Sequence, residues 1–241
     1  DFAKSVTLLS MLGEKNEEKK FINKNLEGNI KTFFINKKDS PTIVKRRFVD
    51  NINKNKVLGI YSLNDNKLDP HNEKKLKNYI NKNIKKFDLV IVSDFGHGFI
   101  SSDIANLIVK SSKFVTANAQ INSSNIGHHT IDKYVNANCI IINESELRHE
   151  LRSKDASVND LIKKMSKKLK VSKIVVTRGH DGCTIFDSKK NSFTTCPAFA
   201  TKVIDKIGSG DAMLALLSLG LKNNFGNHFN IFVSSLAAAQ S

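Results

Sequence analysis

Cysteine is scarce in this chain, with three in 241 residues, at positions 139, 183 and 196. An odd, scattered set excludes a disulfide framework and the paired ligand spacing of a zinc site. Cys139, Cys183 and Cys196 are therefore expected as buried small apolar side chains. Long hydrophobic runs are also missing: none approaches the ~20 residues that cross a bilayer. No signal-peptide pattern opens the sequence, so a cytoplasmic protein without membrane contact is expected. Internal repeats and low-complexity linkers are absent too. One domain over residues 1–241, with a small β element around 30–65, is the economical reading.

What the chain has in excess is positive charge, 38 Lys and Arg against 23 Asp and Glu, a net +15. The lysines are spread along the chain and mixed with asparagines, as in "NINKNK" and "NYINKNIKKF". No zinc-finger spacing, basic zipper or aromatic RNA-binding strand accompanies them, so no nucleic-acid partner is expected. A phosphorylated small molecule would exploit the same field. Hydrophobic content of 40% and charged content of 25% are those of an ordinary globular protein.

Val6 to Met11 reads as a strand, and "EKNEEKKFINKNLEGNI" reads as a polar amphipathic helix with Phe21, Ile22 and Leu26 on one side. "IKTFFIN", "TIVKRRFVD" and "KVLGIYSL" read as strands. From His71 the pattern alternates. "HNEKKLKNYINKNIKKF" predicts a helix, and "DLVIVSDF" predicts a parallel strand covered on both faces. "SSDIANLIVKSS" predicts a helix and "KFVTANA" and "CIIIN" strands; "SELRHELRS" and "SVNDLIKKMSKKLK" are helices. "KIVVTRG" is a strand, and "CTIFD" with "SFTTCPA" a hairpin pair. "VIDKIGSGDAMLALLSLGL" closes the series as strand, loop and helix. This rhythm implies an α/β, three-layer, doubly wound and mostly parallel sheet. Ligands bind such sheets beyond the carboxyl ends of the strands.

Four apolar strands end directly in polar or glycine residues: Asp94, Gly96, His97 and Gly98; Asn143, Glu144 and Glu146; Thr177, Gly179, Asp181 and Gly182; and Gly208 to Asp211. In a parallel sheet all four ends lie along one edge. Glycines ahead of a helix let backbone N–H groups turn toward one point, where the dipole adds about half a positive charge. Asp211, just inside that nest, is either a helix-capping acid or a base working on something anionic. Glu144 beside Glu146 lacks the partner acid of a glycosidase pair. Adjacent His128 and His129 point apart on regular backbone and do not form a metal pair.

"DKIGSGDAMLALL" resembles the C-terminal signature of the ribokinase-like, PfkB-type carbohydrate kinases, D-T-x-G-A-G-D before an apolar helix. Asp205, Gly208, Gly210 and Asp211 match, while Lys206 replaces Thr and Ser209 replaces Ala. "VVTRGHDGCTIF" is similar to the family's T-x-G-x-x-G segment and "NESE" to its N-x-x-E element. "SDFGHG" and "PTIVKRRFVD" are similar to stretches of the heptose-phosphate kinase branch. The motifs come in the family's order over nearly the whole chain.

The resemblance implies transfer of the ATP γ-phosphoryl, with Mg²⁺, to a hydroxyl of a sugar or sugar phosphate, a heptose phosphate among them. It makes Asp211 the general base and Gly208, Ser209 and Gly210 the anion hole. It places Asn143 and Glu146 at Mg²⁺ and its waters, and Thr177, Gly179 and Gly182 along the nucleotide. Asp94 and Gly96 fall on the sugar side, with Lys45 and Arg47 as contacts for an anionic group. Asn118 and Gln120 stand where heptose-phosphate kinases carry D-P-K, which resembles a subgroup fused to a cytidylyltransferase-like domain. A homodimer and a fused or partner nucleotidyltransferase domain are compatible with it. The family's G-G-x-x-x-N-x-A segment is absent and the last helix stops early, so a fold truncated at both ends, with an incomplete sugar site, is expected. The rival expectation is a non-catalytic homologue that binds a nucleotide or sugar nucleotide in a regulatory or scaffolding role.

Overall fold

The computed structural model describes residues 2–50, 56–121, 125–199 and 208–240, which fall into two compact units. The first comprises residues 1–80 and 97–101, the second residues 81–96 and 102–241.

In the first unit, β1 (Val6–Gly13) and β2 (Ile30–Lys37) pair in parallel without a break, Val6 opposite Ile30 through Gly13 opposite Lys37. β3 (Val44–Val49) and β4 (Lys56–Ser62) form an antiparallel pair. Leu12, Ile35, Leu68, Leu76 and Ile80 are buried, and the Phe33 and Tyr79 rings stack at 3.7 Å. Leu76, Tyr79 and Ile80 come from α2 (Pro70–Asn83), whose residues after Ile80 belong to the second unit.

The crossover from β1 to β2 departs from its expected form. The amphipathic helix shrinks to α1 (Lys19–Lys24), because Asn16 and Glu18 adopt left-handed backbone, φ 56 and 67, and delay the helix start. Asn25 closes it by donating its side-chain amide to the Phe21 carbonyl at 2.8 Å. A six-residue helix has no room for an apolar stripe, and Phe21 stays 65% exposed.

The second unit is built on a six-stranded sheet in the order β10-β9-β8-β7-β6-β5. β5 (Val90–Asp94), β6 (Val115–Ala119), β7 (Cys139–Asn143) and β8 (Lys173–Thr177) run parallel; β9 (Cys183–Asp187) and β10 (Ser192–Cys196) add an antiparallel hairpin. Five-residue β-branched runs such as "CIIIN" and "KIVVT" suit strands covered on both faces, and every side chain from Cys139 to Ile142 is buried. The sheet is therefore mostly parallel, as the βαβ rhythm requires.

Side-chain alternation divides that core. Cys139, Ile141, Val175, Cys183, Ile185 and Cys196 face α6 (Ser209–Lys222) and α7 (Asn227–Gln240), packing on Met213, Leu214, Leu217, Leu221 and Ile231. Thr116 joins this face through a 2.6 Å hydroxyl contact with Ser218. The opposite face meets α4 (Glu144–Glu150) and α5 (Val158–Leu169), whose Leu147, Leu161, Ile162, Met165 and Leu169 are buried. α3 (Ser102–Ser111) buries Ile104, Ala105 and Ile108.

All three cysteines are buried, and burial pushes the Cys139 thiol up to about 12. β5 differs from the expected strand covered on both sides. It is one of the two outer strands of the six, and Ile91 is 40% exposed while Val92 and Asp94 are buried.

Candidate active site

α6 begins at Ser209, after Gly208 in left-handed backbone with φ 91. Asp211 lies in the first turn, inside the loop closed by the opening hydrogen bond from the Ala212 amide to the Gly208 carbonyl at 2.9 Å. Its carboxylate is exposed and accepts a 3.3 Å hydrogen bond at Oδ1 from the Ser93 hydroxyl on β5. The expected strand from Val203, with Asp205 and Lys206, lies outside the described residues.

Strand register extends this edge. Ser93 pairs with Asn118 on β6, and Asn143 pairs with Thr177 on β8. Asn118 is two residues past Thr116, while Asn143 and Thr177 are two past Ile141 and Val175, so all three continue the face that packs on α6 and α7. The β6–β7 ladder ends at Ala117 opposite Ile140, and Asn118 extends it with its side chain, donating to the Ile141 carbonyl at 2.9 Å. Ser93, Asn118, Asn143, Thr177 and Asp211 are thus gathered at the carboxyl edge of the parallel strands and the N-terminus of α6.

Asp94, one residue on from Ser93, points the other way and is 5% exposed. Its Oδ2 accepts from the Tyr134 hydroxyl at 2.6 Å and pairs with the Lys133 ammonium at 2.6 Å. Its Oδ1 accepts from the Gly96 amide at 3.1 Å, and its backbone carbonyl contacts His129 Nε2, also at 3.1 Å. Burial, reinforced by the Asp94 charge, raises the Tyr134 phenol well above its ordinary range.

Gly96 sits at φ 72, where a Cβ would press on the side chains of Asn125 and His129. Asn125 is itself buried and donates to the carbonyls of Phe95 at 3.0 Å and Gln120 at 2.9 Å. The Gln120 amide donates to the Asp94 carbonyl at 2.8 Å, while its side chain is exposed. Asp94 and Gly96 therefore form a scaffold behind Ser93. The partners Asn125, His129, Lys133 and Tyr134 went unassigned in the sequence, and the ones around Asp94 come from an aperiodic loop and a single 3-10 turn, Ile131–Tyr134.

At the β7–α4 junction Asn143 and Glu146 form a capping box: Asn143 Oδ1 accepts from the Glu146 amide at 2.7 Å, and Glu146 Oε2 from the Asn143 amide at 3.0 Å. Glu146 Oε1 also accepts from the Ile121 amide at 3.1 Å, which ties the loop after β6 to this junction. Burial pushes the Glu146 carboxyl above its ordinary range, against the pull of the Asn143 and Ile121 amides.

The oxygen donors here fit a hard cation met through its waters, since each carboxylate oxygen retains a second lone pair. Among the described residues no group of three His, Cys, Asp or Glu is arranged to hold a metal. A divalent ion would therefore rely on phosphate and water for its other ligands.

Neighbouring Glu144 accepts from Arg178 at 2.9 Å and from Arg148 at 2.8 Å, and these bonds, Arg178 first, hold its carboxyl below the usual range. The turn after β8 is thereby fastened to α4. Gly179 has open space where a Cβ would stand, whereas at Gly182, φ 78, a Cβ would collide with the backbone of Cys196 and Pro197. Gly182 is thus required by the close approach of β10, and Gly179 leaves open space at the edge.

Lys45 and Arg47 lie on β3 of the first unit, Lys45 with its ammonium 5.9 Å from the Tyr61 ring centroid and its acidity raised by burial. His97 is in the same unit, 6% exposed, with Nδ1 2.6 Å from Asp65. The buried Lys37 donates to the carbonyls of Asn64 and His97.

A model of the pfkB family of carbohydrate kinases matches residues 1–233. The chain is 25% identical over 179 residues to the bifunctional protein HldE of Aliarcobacter butzleri, covering 71% of this chain and 35% of that one. It thus spans about a third of that relative's length. Among solved structures, phosphofructokinase-2 from Escherichia coli superposes with a TM-score of 0.76 at 12% identity, over 98% of this chain and 75% of that one. Ribokinase from Arabidopsis thaliana, solved with ribose and ATP, gives 0.66 at 14% identity, over 98% and 75%. The fold is that of the ribokinase-like kinases. No helix among the described residues is long and apolar enough to cross a membrane.

Proposed function

The chain belongs to the pfkB family of carbohydrate kinases, and we propose that it transfers the γ-phosphoryl group of ATP to a hydroxyl of a phosphorylated sugar, a heptose phosphate first among them. The observation that carries this reading is the Asp211 carboxylate on the first turn of α6, at the strand edge shared with Ser93, Asn118, Asn143 and Thr177. The resemblance of its motifs to the heptose-phosphate kinase branch supports the heptose acceptor, and similarity to a bifunctional protein supports a second domain or partner, a nucleotidyltransferase in this reading.

Asp211 takes the proton of the acceptor hydroxyl as its oxygen attacks phosphorus. The first turn of α6, Gly208 to Gly210, presents the positive end of the helix dipole to the equatorial oxygens as their charge develops. Without a side chain Gly208 keeps that approach open. Asn143 and Glu146 would hold water around Mg²⁺, which when bound would neutralise the phosphate charge. Thr177 and Gly179 border the nucleotide, and Gly182 lets their turn close against β10.

The test is turnover. The full-length protein is incubated with MgATP and a heptose phosphate, fructose 6-phosphate or ribose, and ADP and phosphorylated sugar are measured together. Turnover of the heptose phosphate is expected. ATP binding without any phosphorylated product would sink the kinase reading and favour a regulatory homologue.

A further inference from the structure

We propose that Ser93 is a positioning residue that orients the Asp211 carboxylate for proton transfer, an inference that rests on Asp211 being the base. The Ser93 hydroxyl donates to Oδ1 at 3.3 Å and sits at the penultimate position of β5. A carboxylate on an exposed first turn would otherwise rotate about its side-chain torsions. A donor on Oδ1 selects one orientation and leaves Oδ2 to meet the acceptor hydroxyl.

The donor is itself well held. Ser93 is in register with Asn118, whose side-chain amide reaches the Ile141 carbonyl and links three strands at this point. The next residue, Asp94, is fixed by Tyr134, Lys133 and the Gly96 amide. Because neighbouring strand residues point to opposite faces, Ser93 and Asp94 have separate tasks. Asp94 anchors the strand end from behind, and Ser93 presents a hydroxyl toward α6. A short, neutral donor suits this place: alanine offers no hydrogen, and a second carboxylate would repel the base.

In the step so arranged, the acceptor O–H bond breaks and its proton passes to Asp211. The O–P bond forms, and the bond from γ-phosphorus to the bridging oxygen breaks, its electron pair leaving on ADP. Ser93 keeps its own proton throughout. Asp211 later releases the proton it gained to water.

The experiment compares wild type, Ser93→Ala, Ser93→Thr and Asp211→Asn in the full chain. Rates are measured with whichever sugar of the panel the wild type phosphorylates, or with water as acceptor, alongside Tm. In Ser93→Ala kcat is expected to fall about 10- to 100-fold with KM for MgATP and Tm unchanged, the mark of lost orientation. Ser93→Thr should restore most of kcat. A wild-type kcat in Ser93→Ala beside an inactive Asp211→Asn overturns the positioning role alone. Loss of kcat accompanied by a lower Tm, without rescue by threonine, also overturns it by assigning Ser93 to structure. An active Asp211→Asn, or a wild type that leaves MgATP intact with every acceptor, water included, overturns the base reading and this inference with it.

Discussion

The Ser93 hydroxyl and the Asp211 carboxylate, 118 residues apart in sequence, meet at 3.3 Å where β5 ends and α6 begins. That contact joins one side of the parallel sheet to the helix that carries the glycine-rich turn. The Asp211 carboxylate thus reaches out to another element, and among the described residues no side chain caps the start of α6.

Asp211→Asn preserves the shape of the side chain but removes the carboxylate proposed as the base. Phosphoryl transfer should fall by about 100- to 10,000-fold. Affinity for MgATP, read by calorimetry, should stay near wild type. A variant that keeps its rate would show that another group takes the proton.

Tyr134→Phe removes one donor from the buried Asp94 carboxylate while leaving the ring in place. A hydrogen bond to a charged, buried group is worth about 1.5–3 kcal/mol, and the urea midpoint should drop accordingly. Unchanged stability would mean that the Lys133 ammonium alone satisfies Asp94.

Glu146 ties pH to stability. Its folded-state carboxyl titrates above the ordinary value of 4.5, chiefly through burial. The folded protein therefore holds this proton more tightly than the unfolded chain does. The group's contribution is fully present below 4.5 and is lost as pH rises through the raised value. Denaturation of wild type and Glu146→Gln across that window should show wild type losing ground to the variant as pH increases. A difference that stays flat with pH would contradict the burial argument.

Gly182→Ala separates packing from nucleotide contact. The added Cβ meets the backbone of Cys196 and Pro197 at a φ that disfavours side chains. Stability should fall by about 1–3 kcal/mol. Thermal unfolding measures this directly. An unaltered Tm with a raised KM for ATP would instead give Gly182 a nucleotide role.

Much of the second unit was legible in the sequence, because five-residue apolar strands and capped helices each carry their own local signal. Cys139–Asn143 followed by the Asn143–Glu146 box is such a case. α1 was misjudged in length because the left-handed turns at Asn16 and Glu18 leave no trace in hydrophobic spacing. β5 read as covered on both faces because composition does not reveal which strand lies outermost. The candidate site was legible as a list of strand ends. Its wiring was not: Ser93 looked like a neighbour of Asp94, and His129, Lys133 and Tyr134 sit in a segment without periodicity. Long-range polar contacts depend on register and loop path, which no local pattern encodes.

The apolar sheet face formed by Ile141, Val175 and Ile185 is covered by α6 and α7, which follow all of its strands in the chain. During synthesis those strands are made before their cover, at about 5–20 residues per second. For that interval the nascent chain exposes an apolar surface of the kind that invites aggregation. The helix that ends this exposure is also the one that delivers Asp211. Burial of this face and placement of the carboxylate proposed as the base are therefore coupled, because one helix brings both.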